Sequence, residues 1–349
     1  MKKLLLLLLV SALAACGTAP TAAPADTVAP AEAVTPTPIP TEAPPTETPI
    51  THVKLAMGFI PDVQFAPYYV AAEKGYFEEQ DIEIEFVTMF ENDSVPLIGT
   101  NELQFANVSA EQVLQARAQG LPVTYVFAWY QKFPIVIASK ASAGIVTPEN
   151  LRGRKVGLPG LFGASYIGLR ALLNAQGIAE SDLQLEAIGF TQVEALTADQ
   201  VEAVVGYASN EPVRLRATGQ EINVINVSDY AQLAGNGLVT NEQTLTEHPE
   251  LVQGMVTALL KGLAGTIANP DEAFEISKKY VETLATADEA TAATAREVLA
   301  ASIELWQAPE LGVADLGQWE QTQNTLLQMG LITDFIDLNE AVTNEYVKP

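Results

Sequence analysis

Between residues 53 and 240, short apolar runs of strand length alternate with segments of helical periodicity, and this alternation constrains the fold more than any other feature of the chain. The first unit is the clearest. An apolar-alternating run at 53–57 breaks at Gly58 and Pro61; Phe65, Tyr69, Ala72 and Tyr76 then recur at helical spacing, and Gly75 supplies the residue type that closes a helix. A strand, a loop and a helix in that order predict an α/β sheet whose ligands lie beyond the carboxyl ends of its strands. The loop is dense in rings, with Phe59, Phe65, Tyr68 and Tyr69, which either fill a core or face a ligand.

The rhythm continues. Residues 82–87 alternate with acids as a half-exposed strand, and residues 90–94 (FENDS) read as a polar turn. A short apolar strand at 105–108 ends at Ser109, and Gln112 three residues on predicts a capping box for a helix running to Gly120. A strand through 124–129 leads to a loop with Trp129, Tyr130 and Lys132, and a further apolar strand at 135–139 leads into the small, turn-rich stretch 141–148, which predicts a first crossing between two lobes. Strands at 152–157, 183–188, 201–207 and 222–227, a Gly-rich loop (LPGLFGAS) and a helix over 164–176 then build a second lobe. Gly235-Asn236-Gly237 breaks this pattern, 238–240 reads as the second crossing, and from 247 onward the chain is helical. The expected division is therefore lobe 1 over 51–138 and 235–349, with lobe 2 over 139–234. About three hundred residues exceed the usual single core, which also favours two lobes.

The N-terminus reads as an export signal. Lys2 and Lys3, an apolar run at 4–10 and small residues predict a signal peptide over 1–15, too short to span a membrane stably. Cys16, the only cysteine, follows Leu-Ala-Ala and resembles a bacterial lipobox, which implies lipidation of Cys16 and attachment to the outer face of the cell membrane. Residues 16–50 are Pro, Thr, Ala and Glu with few large apolar side chains, a composition that predicts a tether. The net charge of −25, from 18 Lys+Arg against 43 Asp+Glu, argues against nucleic acid as a partner, because phosphate binding needs a basic face.

Candidate binding residues cluster on the loops at the strand ends: Phe59, Gln64 and Phe65; Asn107 and Ser109; Trp129 and Tyr130; then Ser165, Tyr166, Tyr207, Asn210 and Glu211. Gly160 and Gly163 join them, since a Gly-rich connection between strand and helix can present free backbone N–H groups, although its spacing matches neither the dinucleotide fingerprint nor a P-loop. The set is aromatic and neutral-polar, with only Lys132 close by, and suits a flat heterocycle better than a small oxyanion. Catalysis has little support. His52 and His248 fall in separate surface-like segments, no cluster has metal-ligand spacing, no Gly-x-Ser-x-Gly elbow occurs, and the acid pairs Glu78–Glu79 and Glu83–Glu85 read as solvated. No catalytic residue, metal or cofactor is expected.

The stretch 58–77, GFIPDVQFAPYYVAAEKGYF, with its Tyr-Val-Ala helix and Lys74-Gly75-Tyr76-Phe77, resembles the opening of thiamine-precursor-type periplasmic solute-binding proteins of ABC importers, and the resemblance runs from about 53 to 347. It implies a two-lobed type II periplasmic-binding-protein fold of the α/β class with two hinge crossings, and an ABC permease as partner. Val63-Gln64-Phe65-Ala66-Pro67 is similar to riboflavin-binding members, which implies riboflavin as the ligand, with a hydroxymethyl- or formylamino-pyrimidine as the alternative and sulfonate or nitrate further off. The superfamily also includes a fungal pyrimidine synthase that relies on a cysteine-rich motif and a loop histidine. Here the only cysteine is Cys16, and residues 62–65 contain no histidine.

Overall fold

The structure, a computed structural model, describes residues 50–347. The expected signal peptide 1–15, Cys16 and all but the last residue of the tether 16–50 lie outside the described residues. The chain opens with β1 (Thr51–Ala56), α1 (Ala66–Glu73), β2 (Ile82–Val87), α2 (Glu91–Gly99), β3 (Phe105–Ser109), α3 (Ala110–Ala118) and β4 (Val123–Ala128). A second series follows: β5 (Ile135–Lys140), β6 (Lys155–Leu158), α4 (Gly163–Ala175), β7 (Gln184–Ala187), α5 (Gln192–Thr197), β8 (Ala203–Tyr207), α6 (Glu211–Ala217) and β9 (Ile222–Asn226). After β10 (Asn236–Asn241) come α7 (Glu242–Glu247), α8 (Pro249–Ala268), α9 (Pro270–Ser277), α10 (Glu282–Ala285), α11 (Glu289–Trp306), α12 (Leu316–Gln328) and α13 (Leu338–Ala341).

These strands form two five-stranded sheets of the same design, ordered β2-β1-β3-β10-β4 and β7-β6-β8-β5-β9. Within each, four strands point the same way, three of them paired side by side, and one inserted strand, β10 or β5, runs antiparallel to both neighbours. Each inserted strand follows a passage of the chain from one sheet to the other. The passages lie at 129–134 and 230–235, upstream of where the sequence pattern puts them. The strand expected at 135–139 is present as β5, but it lies in the second sheet between β8 and β9 and does not end lobe 1, and residues 238–240, expected as the second crossing, are the body of β10 between β3 and β4. The reason is backbone accounting: five of six residues of β5 and all six of β10 are buried, and buried amides need a ladder on both sides that a bare connection cannot offer.

Local expectations fare unevenly. Glu83 and Glu85 face solvent along β2, and Gly75 closes α1 in the left-handed region at φ +73°. Residues 90–94, expected as a turn, instead start α2, with Glu91 and Asp93 in its first turn where the helix dipole favours acids. The C-terminal helices cover the first sheet. α8, long and apolar enough to cross a membrane, lies against α1, where a Cβ on Gly262 would come within 2.1 Å of the Pro67 carbonyl oxygen. Trp306 on α11 and Trp319 on α12 are fully buried, and Trp319 meets Tyr125 of β4 edge-on at 5.0 Å.

Candidate functional site

The strand ends of the two sheets face each other across a cavity. Counting its opening, the space is about 780 Å³. From the first lobe, the turn after β1 presents Met57, Phe59, Gln64 and Phe65; Asp62 fixes this turn by accepting from the Gln64 amide at 3.0 Å. Asn107 comes from β3 and Glu91 with Phe90 from the start of α2, while Trp129 and Tyr130 come from the first passage and Asn236 from β10. The second lobe adds Phe162, Gly163 and Ser165 before and within α4, Phe190 and Gln192 at α5, and Tyr207, Asn210 and Glu211 between β8 and α6. Glu211 turns back to accept from the Tyr207 amide at 2.6 Å, a position open only because residue 206 is glycine: a Cβ there would sit 2.2 Å from the Glu211 Oε2.

Most of the residues expected from sequence meet here. Ser109, Gly160 and Tyr166 do not line the cavity. Ser109 lies one layer behind, and although it occupies the N-cap position of α3, its hydroxyl makes no capping bond and no box with Gln112. It faces Glu91 Oε2 and Glu111 Oε1 instead, each at 2.5 Å, because buried carboxyls are stronger partners than an amide. Gly160 is covered by the Phe162 ring, 2.3 Å from where its Cβ would be. Tyr166, one residue past Ser165, is turned about 100° around the helix and donates to Glu180 at 3.0 Å. Sequence reasoning missed Met57, Phe90, Glu91, Phe162, Phe190, Gln192 and Asn236. The ring in LFGAS was a legible signal for Phe162, whereas Glu91 was hidden by reading its helix as a turn.

The rings form two groups. Phe65 stacks on Trp129 at 5.4 Å, and Trp129 meets Tyr130 at 4.7 Å. In the second group Phe59 meets Phe190 at 4.5 Å, and Phe90 touches both Phe190 at 5.1 Å and Phe162 at 5.4 Å, so that rings from the two lobes meet directly.

Polar bonds also bridge the cleft. Gln64 donates to Ser209 Oγ at 3.1 Å and accepts from Asn210 at 2.6 Å; Arg214 on α6 binds Asn210 Oδ1 and Asp62 Oδ2, each at 2.5 Å; the Tyr207 hydroxyl donates to Asn236 at 3.0 Å. Arg214 is thus occupied by Asp62 outside the cavity, and Lys132 is turned outward to the Glu304 carbonyl. No basic side chain lines the cavity among the described residues. Asn107 Oδ1 and Trp129 Nε1 are buried on its wall without a partner. Burial pushes the Glu91 and Glu211 carboxyls up to about 7, and burial together with the Glu91 charge pushes Glu111 up to about 8. The same loss of solvation raises the Tyr130 and Tyr207 phenols. His52 and His248 lie on the surface beside Glu83 and Glu250, remote from the cavity lining.

Two lobes of this topology, joined by two passages and closed over a polar-aromatic cavity, define a two-domain α/β protein of the periplasmic-binding-protein fold. The alkanesulfonate-binding protein SsuA from Xanthomonas axonopodis pv. citri, solved bound to MOPS, superposes with a TM-score of 0.67 at 14% identity, covering 85% of this chain and 100% of that one. Residues 62–273 match the NMT1/THI5-like family, and the chain belongs to it. It is 40% identical to the riboflavin-binding protein RibY of Chloroflexus aurantiacus, over 99% of this chain and 95% of RibY. More distant relatives are the 4-amino-5-hydroxymethyl-2-methylpyrimidine phosphate synthase of Legionella pneumophila, 26% identical over 65% of this chain and 72% of the synthase, and the formylaminopyrimidine-binding protein of Halalkalibacterium halodurans, 27% identical over 77% and 82%.

Proposed function

We propose that this chain is the extracytoplasmic solute-binding component of an ABC importer, that it captures riboflavin by closing its two lobes, and that it is not an enzyme. The observation that carries the reading is the cavity wall: two groups of rings, several side-chain amides, two buried carboxyls, and no basic side chain lining it among the described residues. Phe65 with Trp129 and the Phe59, Phe90, Phe162 and Phe190 group offer rings to a flat tricyclic ligand, each good stack contributing about 0.5–1.5 kcal/mol beyond area burial. Asn107 Oδ1 is an acceptor and Trp129 Nε1 a donor without partners, matching the alternating donors and acceptors on the polar edge of the flavin. The likeness to RibY over nearly the whole chain supports the same ligand.

Titration with riboflavin should quench flavin fluorescence and raise the melting temperature. If the melting temperature is unmoved by riboflavin and raised by a hydroxymethyl- or formylamino-pyrimidine, the flavin reading is wrong, and the likeness to the formylaminopyrimidine-binding protein points to the replacement. Lipid attachment at Cys16 is part of the same proposal, resting on the Leu-Ala-Ala-Cys sequence. The full-length protein should partition into detergent and Cys16→Ser should not; equal partitioning refutes the anchor.

A further inference from the structure

Glu91 and Glu111 face a single hydroxyl. Glu91 reaches the cavity from the start of α2, Glu111 is fully buried in the first turn of α3, and Ser109 Oγ lies 2.5 Å from a carboxyl oxygen of each. A hydroxyl has one proton to donate, so two contacts this short require a second proton, carried by a carboxyl. Nothing cationic substitutes for it. From β10, Asn236 donates to Glu91 Oε1 at 3.0 Å, and Tyr207 of β8 is bonded to Asn236 in turn. From β4, Tyr125 is the ionisable neighbour of Glu111. At the start of α4, Gly163 comes within 3.8 Å of Glu91 Oε2, measured from its Cβ position. The charged groups on these helices are engaged elsewhere: Arg117 of α3 by Glu242 and Glu340, Arg170 of α4 by Glu180, and Asp93 of α2 by Asn92 at the surface. The second oxygen of Glu111 is buried without a partner.

We propose that Glu91, Ser109 and Glu111 form a proton-binding site in the cavity wall, and that closure of the lobes on a neutral ligand is linked to the proton this site holds. The link to a ligand rests on the riboflavin reading, whereas the proton site itself does not. Glu91 reaches the cavity and sits against residues of the second lobe, so an open cleft returns it to water and lowers its proton affinity, while closure raises it. A group whose affinity for protons is raised in the closed state favours closure at low pH, and that contribution is lost as pH rises toward about 7, where the closed-state carboxyl gives up its proton. Riboflavin remains neutral throughout this range. Glu211 on the facing lobe is a second buried carboxyl and has to be separated from the first.

The test is riboflavin affinity by fluorescence quenching from about pH 5 to about pH 8, in the full chain and in Glu91→Gln and Glu211→Gln. Affinity should fall as pH rises, by up to about tenfold per unit for each proton linked, and the fall should be shallower in Glu91→Gln whatever Glu211→Gln does. Equal slopes in wild type and Glu91→Gln overturn the linkage. In parallel, the carboxylic-acid C=O absorption of the ligand-free protein, where Glu111 stays buried on the first lobe even when an open cleft wets Glu91, is followed by infrared spectroscopy, with Glu91→Gln and Glu111→Gln as controls. A neutral-carboxyl band at about pH 6.5 that weakens in either variant supports the proton site, and its absence from wild type overturns it. If riboflavin binds at no pH, the functional reading fails, and the infrared result alone decides the proton site.

Discussion

The contact between Asp62 and Arg214 offers the sharpest test of how closure is held. It joins the turn after β1 to α6 across the cleft at 2.5 Å, with the Asp62 side chain 10% exposed and the Arg214 side chain 33% exposed. A charge-assisted hydrogen bond contributes about 1.5–3 kcal/mol when buried, and partial exposure of the guanidinium places this pair near the lower end, about 1.5 kcal/mol. All of it acts between lobes, so it stabilises the closed state and not the lobes themselves. If riboflavin binds only the closed state, losing it should weaken apparent affinity about tenfold. Arg214→Met alone should cost more than that, because it strands a nearly buried carboxylate, and adding Asp62→Asn should recover part of the loss while keeping an oxygen to cap the Gln64 amide. The assay is a double-mutant cycle on riboflavin affinity, repeated at high salt, with small-angle scattering on the unliganded proteins. A coupling within about 0.3 kcal/mol of zero would refute the reasoning, as would unchanged scattering when both partners are removed.

Three further outcomes are expected. Phe190→Ala removes the ring that Phe59 and Phe90 share, so bound riboflavin should dissociate faster in stopped flow, by about tenfold for one lost aromatic contact; an unchanged rate would remove the ring group from the site. Gly262→Val should lower the melting temperature measured without ligand, because overpacking where α8 meets α1 costs about 1–3 kcal/mol, and a variant as stable as wild type would contradict that contact. Trp129→Phe keeps a ring against Phe65 but removes the unpartnered N–H, and should weaken riboflavin by about 1 kcal/mol with little change in stability, whereas Trp129→Ala should also destabilise the fold through its packing on Trp306.

The amino-acid sequence by itself determined the class of fold and the character of the cleft. Strand and helix periods differ, so the alternation from β1 onward was legible, and rings and amides bracketing Gly and Pro breaks marked the strand-end loops. Tertiary structure decided what depends on partners distant in the chain. Which sheet the strand at 135–139 joins, and whether 238–240 is a crossing or a central strand, turns on ladders to β8, β9, β3 and β4, which no local pattern specifies. The Ser109 hydroxyl satisfies every local rule for capping α3, yet two carboxyls, one of them eighteen residues away, compete for it. Arg214 is basic and beside the cleft, yet Asp62, 152 residues away in sequence, takes its charge. Composition and period act through neighbours in the chain, while a buried polar group takes whichever partner the fold brings within about 3 Å of it.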